Sequence, residues 1–145
     1  MRAARTDDEV RAALRLRYRV FCEEQGVQPA AEQDGRDGEA LQLVALDGRR
    51  VVGTCRVLLE NGVARLGRMA VDPEHRGRGV GGALLSEADG AMLDAGAQRI
   101  RLHAQTTSRG VYDRAGYEPR GETFIEEGIE HVAMEKLLTG GAPGA

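Results

Sequence analysis

Apolar residues near the start of the chain recur at the spacing of an amphipathic helix. Four of them lie three or four positions apart: Val10, Leu14, Tyr18 and Phe21. Thr6 or Asp7, just upstream, can act as an N-cap that accepts hydrogen bonds from the first backbone amides. The pattern therefore predicts a helix over residues 7–22.

From residue 41 the pattern changes to apolar runs that are separated by turn dipeptides. The runs and dipeptides are, in order, residues 41–46, Asp47-Gly48, residues 50–60, Asn61-Gly62 and residues 63–71. These dipeptides favour the tight turns of β-hairpins, because their residues tolerate a positive φ angle. The sequence thus predicts three successive antiparallel strands.

Helices and strands alternate in the second half of the chain. Helical spacing returns over residues 80–95 and stops at Gly96, a residue type suited to a C-cap. The later predicted elements are a strand over 99–104, a short helix over 107–116, and strands around 117–122 and 131–138 that connect through 126–128. One α/β domain over residues 1–138, followed by a frayed tail over 139–145, accounts for the pattern.

Charge and cysteine content exclude several classes of protein. The 145 residues carry a net charge of −3 and an isoelectric point near 5.7, whereas nucleic-acid-binding proteins are usually basic. Cys22 and Cys55 lie outside any metal-ligand spacing, and no apolar run approaches the ~20 residues of a membrane span. We expect a cytoplasmic protein with two free thiols, no metal, and neither nucleic acid nor membrane as partner.

Four glycines and two arginines are concentrated in HRGRGVGG, residues 75–82. Such a loop is either a flexible connector or a segment that lets a ligand approach its amides. It matches the dinucleotide fingerprint G-x-G-x-x-G, but five residues separate it from the preceding predicted strand. The next strand ends in His103-Ala104, without the acid that would hold a ribose. The context therefore argues against a nicotinamide site.

A second register of the same loop, Arg76-x-x-Gly79-x-Gly81, fits a phosphate site. Glycines let successive N–H groups converge, and the start of a helix adds a partial positive charge. Arg76 and Arg78 offer guanidinium groups to further phosphates. This register predicts a pyrophosphate cradle at the start of the helix.

Two blocks of the chain resemble the GNAT superfamily of N-acetyltransferases. RMAVDPEHRGRGVGGALL looks like its acyl-CoA-binding motif, and LHAQTTSRGVYDRAGY resembles its strand–helix element, with Gln105 seven positions before Tyr112. RYRVFCEEQGV, EQDGRDGEALQLVA, GTCRV and EEGIEHVAMEK are similar to the ElaA-like branch. The resemblance implies an α/β fold whose mixed, mostly antiparallel sheet has six to seven strands. It also implies a splay between strands four and five, about four flanking helices, and MRAAR as a clipped first strand.

The resemblance also implies a site for acetyl-CoA. It places the acyl carbonyl at the backbone amide of Val71, with Met69 and Ala70 along the pantetheine arm and Gln105 across the splay. The pyrophosphate would contact the glycine loop: Arg76, Gly77, Arg78, Gly79, Val80, Gly81 and Gly82. Tyr112, with a phenol pKa near ~10, matches the residue that protonates the departing thiolate; packing in a short helix is its alternative role.

Several residues could deprotonate the amine. The candidates are Glu24, Asp34, Glu126, Glu127 and His131, with His103 as a more structural one. Acid-rich segments over 22–40 and 122–135 are either solvated faces or an acceptor mouth that attracts a cationic amine. The chain departs from the family pattern at three positions: Gln42 in place of histidine, Val111 in place of phenylalanine, and Ser108 in place of alanine.

These observations predict an acetyl-CoA-dependent N-acetyltransferase that acts by direct attack on a primary amine of a small molecule or peptide. A non-catalytic CoA-binding regulatory module is one alternative. An acyltransferase related to acyl-homoserine-lactone synthases is another. Because dimers are common among relatives, a homodimer is also expected.

Overall fold

The computed structural model describes residues 1–138, and the predicted tail, 139–145, lies outside the described residues. The strands are β1 Arg2–Ala3, β2 Leu41–Asp47, β3 Arg50–Glu60, β4 Val63–Val71, β5 Arg99–Gln105, β6 Glu118–Pro119, β7 Phe124–Glu126 and β8 Ile129–Leu137. The α-helices are α1 Asp7–Arg17, α2 Pro29–Glu32, α3 Val80–Asp94 and α4 Arg109–Arg114. Among the described residues no helix is both long and apolar enough to cross a membrane.

All eight strands belong to one mixed sheet. Its order is β1-β2-β3-β4-β5-β8-β6, with β7 paired to β8. Within residues 1–138, β4 and β5 form the only parallel pair. The predicted fold class is confirmed, including a short first strand. The β7–β8 hairpin is an element beyond the predicted strands. Its two strands are joined by a turn at Glu127-Gly128, where both φ angles are positive. The predicted strand over 117–122 is reduced to Glu118–Pro119.

The two faces of the sheet carry different helices. On one face α3 packs against the sheet through an apolar cluster that includes Leu84, Leu85 and Ile100. On the other face α1 covers β2, β3 and β4 through a second cluster that includes Leu16 and Val44. On β5, buried residues alternate with residues that are exposed or half-buried. The sheet face that carries α1 therefore stays open over β5.

The buried face of α1 differs from the predicted stripe. The helix buries Ala13, Leu16 and Arg17, whereas Tyr18 of the predicted stripe is exposed. Hydrophobic spacing misplaced this face because one of its buried positions is an arginine with acidic partners. After Arg17 the helix continues as a π-helical segment, Tyr18–Glu24, a form that often occurs at functional sites.

Candidate active site

Strands β4 and β5 separate and open a cleft. They pair only over residues 63–65 and 99–101, although β4 continues to Val71 and β5 to Gln105. The cleft has a volume of about 1770 Å³, larger than the ~300–1,000 Å³ of most small-molecule pockets. The splay predicted between strands four and five is confirmed, and its size suits an elongated ligand.

A β-bulge in β4 lies at the splay. The strand carries one extra residue between Gly67 and Ala70, and Arg68 there has a φ angle of 55°, which is strained for a residue with a side chain. Its guanidinium donates to the carbonyl oxygens of Glu32 at 3.0 Å and Ala31 at 3.3 Å. These bonds hold the strained residue, and a bulge bends its strand where β4 leaves β5.

Val71 presents its backbone N–H to the splay. The N–H of Asp72 donates to the Val52 carbonyl of β3 at 2.8 Å, and consecutive strand residues point their N–H groups to opposite edges. The Val71 N–H therefore points away from β3, towards the edge that β5 has left. This is the amide expected at the acyl carbonyl.

The glycine loop and the start of α3 line the same cleft. Gly79 is the N-cap, with a φ angle of 82° and no capping side chain. The N–H groups of Val80, Gly81 and Gly82 thus have no acceptor within the helix. A Cβ added at Gly77, Gly79 or Gly82 would meet nothing within 4 Å. This row of amides beside open space fits a phosphate cradle better than a connector.

Arg76 of this loop already has a carboxylate partner. Its guanidinium donates two hydrogen bonds to Glu24 at the end of the π-helical segment, at 2.7 and 2.8 Å. Its Nε donates to the Val71 carbonyl at 3.1 Å. The hydrogen bonds from Arg76 hold the pKa of Glu24 below its usual value. Glu24, a candidate base, is thus paired with a residue expected to bind phosphate.

Gln25, the next residue along the chain, reaches the other side of the splay. Its side-chain amide and that of Gln105, at the end of β5, exchange hydrogen bonds of 2.8 and 3.3 Å. Glu24 and Gln25 therefore connect the glycine loop to β5 across the opening. A ligand in the cleft would compete with both contacts.

Tyr112 lies in the wall of the cleft, on α4. Its side chain is buried, its hydroxyl lies 4.0 Å from the Met69 sulfur, and its ring packs edge-on against Tyr117. Burial raises the pKa of Tyr112 to about 12. The phenol thus keeps its proton at neutral pH while its sulfur neighbour is a weak acceptor.

Two histidines and one carboxylate meet on the open face, beside the end of β5. His131 lies opposite Gln105 across the β5–β8 ladder. The Glu126 carboxylate lies 3.2 Å from His103 Nδ1 and 3.8 Å from His131 Nε2. The Phe124 ring stacks against His131 and meets His103 edge-on. The fold thus brings together three of the predicted base candidates.

Comparison with known proteins agrees with this geometry. Residues 3–138 match the family described as acetyltransferase (GNAT) domain. The chain belongs to the GNAT acetyltransferase family. It is 34% identical over 134 residues to Bacillus subtilis YjcF, which is named as an uncharacterized N-acetyltransferase, with 92% of this chain and 96% of the relative covered.

Two solved structures show the same GNAT fold. An acyl-CoA N-acyltransferase from Pseudomonas aeruginosa is 29% identical, with a TM-score of 0.79 and coverage of 91% of this chain and 92% of that one. Escherichia coli ElaA is 24% identical, also with a TM-score of 0.79, over 90% and 92% of the two chains. The resemblance noted in the sequence is confirmed at the level of the family and the fold.

The acid-rich segment over 22–40 is not a free acidic surface in this GNAT domain. Arg17, which is fully buried, binds Glu32 at 2.5 Å and Asp37 at 2.6 Å. Arg56 of β3 binds Asp34 at 2.7 Å. We call these five residues the loop clamp. The clamp neutralises the acids that could have formed an acidic acceptor mouth, including the candidate base Asp34.

The charge of the whole cleft is also opposite to the acidic-mouth expectation. Nine arginines line it against five glutamates, although the chain carries a net charge of −3. Three of these glutamates belong to the second acid-rich segment: Glu126, Glu127 and Glu135. Glu135 forms an ion pair with Arg101 at 2.7 Å. Arginines therefore outnumber glutamates along the lining of the cleft.

Sequence reasoning missed several residues that shape the site. Arg17, Gln25 and Arg68 make their contacts with residues at least 15 positions away, so no local pattern marks them. Gln42, one of the family departures, belongs to the same surroundings, because its Nε2 donates to Asp37 at 3.0 Å. The departure at this position therefore supports the acidic loop.

Proposed function

We propose that this GNAT protein is an acetyl-CoA-dependent N-acetyltransferase that acetylates a primary amine of a small molecule or peptide. The observation that carries the proposal is the splay, with the Val71 N–H facing it and the glycine loop beside it. A fixed N–H can polarise a thioester carbonyl, and free amides at a helix start can hold a pyrophosphate. The similarity to the P. aeruginosa acyl-CoA N-acyltransferase supports an acyl-CoA donor.

The donor site we propose follows the cleft from α3 to the splay. Met69 and Ala70 would line the pantetheine arm, and the pyrophosphate would contact Arg76, Arg78 and the amides of residues 77–82. Binding would require Arg76 to exchange Glu24 for phosphate oxygens. It would likewise require Gln105 to exchange Gln25 for the pantetheine.

Tyr112 is our proposed general acid. When the amine nitrogen bonds to the thioester carbon, the C–S bond breaks and the sulfur leaves as a thiolate. A thiolate is a much better acceptor than the Met69 thioether that now lies 4.0 Å from the phenol. The phenol is protonated at neutral pH and can transfer its proton to the thiolate. Burial raises the pKa of Tyr112 to about 12, so the transfer requires that the same burial also raise the basicity of the thiolate.

His131, assisted by Glu126, is our proposed base. Its Nδ1 lies 2.7 Å from the Ile129 carbonyl, which can only accept, so Nδ1 carries the hydrogen and Nε2 holds a lone pair. Glu126, 3.8 Å from Nε2, would stabilise the imidazolium that forms. The hydrogen bond that orients the His131 ring and the carboxylate beside its Nε2 favour His131 over Glu24 as the base.

The cysteines support direct attack rather than transfer through an acyl-enzyme. Cys55 is fully buried, and burial raises its pKa to about 12. Burial also raises the pKa of Cys22. Neither thiol is among the residues that line the cleft, and a protonated thiol is a poor nucleophile. Free thiols also suit a reducing cytoplasm, which we propose as the location.

Thiol release from acetyl-CoA across a panel of primary amines tests the proposal. We expect amine-dependent release that falls about 100-fold in Tyr112→Phe, with an unchanged Kd for CoA by calorimetry. CoA binding without turnover for any amine would instead support the non-catalytic module. A preference for long acyl chains over acetyl would support the relative of acyl-homoserine-lactone synthases. Equal turnover in Tyr112→Phe would exclude this residue as the acid.

A further inference from the structure

The outward positions of β5 form a row of hydrogen-bond donors on the open sheet face. Buried and outward residues alternate along the strand, and the outward ones are Arg99, Arg101, His103 and Gln105. All four line the cleft. We call them the β5 donor row. The row begins at the splay with Gln105 and becomes cationic towards Arg99.

The strands on either side leave this row with an excess of positive charge. Arg65 of β4 lies in register with Arg101, a placement of like charges that costs stability. The Glu135 carboxylate of β8 accepts hydrogen bonds from two arginines, Arg101 at 2.7 Å and Arg99 at 3.4 Å. Arg65 lies 3.8 Å from the Glu60 carboxylate. The same carboxylate also binds Arg36.

Exposure leaves these guanidinium groups accessible from the cleft. The side chains of Arg99, Arg101 and Arg65 are 37%, 45% and 56% exposed. Exposed ion pairs contribute little to stability, so the pairs with Glu135 and Glu60 do not by themselves offset the placement of Arg65 beside Arg101. A planar guanidinium fork matches the oxygens of a carboxylate or a phosphate. An anion would thus complete the arrangement.

We propose that the acceptor amine carries a carboxylate or phosphate group, which Arg101 and Arg99 bind while the nitrogen reaches the splay. The inference rests on the proposed acetyl transfer. Gln105 lies four positions after Arg101, on the order of 13 Å along the strand. An arginine side chain covers part of that distance, so nitrogen and anion are separated by on the order of 10 Å. The substrate class is an anionic amine with an extended linker.

A series of amines of equal length tests the charge requirement. The probes are 6-aminohexanoate, its carboxamide, 6-aminohexyl phosphate and the corresponding diamine, assayed by thiol release with acetyl-CoA. We expect kcat/KM for the two anions to exceed that for the carboxamide at least about tenfold, with the diamine poorest. The ratio between carboxylate and phosphate distinguishes the two kinds of anion.

Variants locate the effect on the row. In Arg101→Gln, and more strongly in the double variant with Arg99→Gln, KM for the anionic amines should rise at least about tenfold, while KM for the carboxamide stays the same. Arg101→Lys should keep part of the preference, since it retains charge but loses the fork. Arg11→Gln, on the outer face of α1, is the matched control and should change neither value.

A binding measurement separates failure of this inference from failure of the proposed function. N-acetyl-6-aminohexanoate and its carboxamide are titrated by calorimetry into protein that holds CoA. Tighter binding of the carboxylate, lost in Arg101→Gln, supports the anion site even if no amine is acetylated. Equal binding of the two, or equal kinetics for the anionic and neutral amines, overturns the anion site and leaves acetyl transfer intact.

Discussion

Arg76 shows how single side chains connect the two sides of the cleft. Its guanidinium binds the Glu24 carboxylate through two hydrogen bonds and also the Val71 carbonyl. The proposed pyrophosphate would accept hydrogen bonds from the same guanidinium N–H groups. A guanidinium has five N–H donors, but it cannot serve a bidentate carboxylate and a phosphate on the same edge. In the proposed complex, Glu24 would therefore compete with the pyrophosphate of CoA for Arg76.

This competition predicts that Glu24→Gln binds CoA more tightly than the wild type. The substitution removes the negative charge that holds Arg76, and exposed pairs of this kind are worth up to about 1 kcal/mol. We expect a two- to fivefold lower Kd, roughly, by calorimetry. Glu23→Gln, at a neighbouring exposed position without an ion pair in the described residues, should bind CoA as the wild type does. Equal or weaker binding by Glu24→Gln would show that the pair does not oppose CoA.

At the scale of elements, the position of α3 on the sheet decides where the glycine loop lies. Gly53 of β3 provides the space, since a Cβ built there would lie 2.7 Å from Val80 Cγ1 and 3.2 Å from Leu84 Cδ1. Val80 is the first residue of α3 and belongs to the proposed cradle. A single glycine in the sheet thus sets the distance between the sheet and the amides proposed to bind phosphate.

Gly53→Ala should therefore weaken both the fold and CoA binding. The added methyl group meets a stiff β-branched side chain, and overpacking of this kind costs about 1–3 kcal/mol. Urea denaturation and calorimetry with CoA measure the two effects. Gly90→Ala in α3 is the control, because its Cβ meets nothing within 4 Å, and it should stabilise by about 0.5–1 kcal/mol. A Gly53→Ala protein as stable as the wild type would contradict this account.

The sequence predicts those turns and helix starts that depend on neighbouring residues in the chain. Asn61-Gly62 both adopt positive φ angles in the β3–β4 turn, as the dipeptide predicts, and the glycine loop lies at the start of α3. The bulge at Arg68 could not be predicted, because its strained backbone depends on carbonyl groups 36 and 37 positions away. The pair Gln25–Gln105 joins residues 80 positions apart. Features made by such distant contacts have no local sequence signal.

For the whole molecule, charge is sorted into regions rather than spread evenly. The loop clamp pairs three acids of the 22–40 segment with Arg17 and Arg56, while arginines in excess line the cleft. Arg68 links the two regions, since it contacts Asp34 of the clamp at 3.3 Å and forms the bulge at the splay. The clamp thus supports the geometry of the active site as well as the stability of the loop.

Stability should consequently fall in acid, through the carboxylates that arginines hold. Hydrogen bonds from Arg56 lower the pKa of Asp34, and those from Arg101 lower that of Glu135. Carboxyls in the unfolded chain titrate near pH ~4, so the unfolded state takes up protons first as the pH falls. The stabilisation is complete above that pH and is lost below it. Urea denaturation should give a constant free energy of unfolding from pH 7 to about 5, then a decline.

Asp34→Asn distinguishes this linkage from a general effect of acid. The variant lacks the titrating group, so it should be less stable than the wild type at pH 7, and the difference should shrink as the pH approaches 3. Glu87→Gln, on the exposed side of α3 and without an ion pair in the part of the chain described, should follow the wild-type profile throughout. A difference between Asp34→Asn and the wild type that stays constant from pH 7 to 3 would mean that the clamp acts through packing rather than charge.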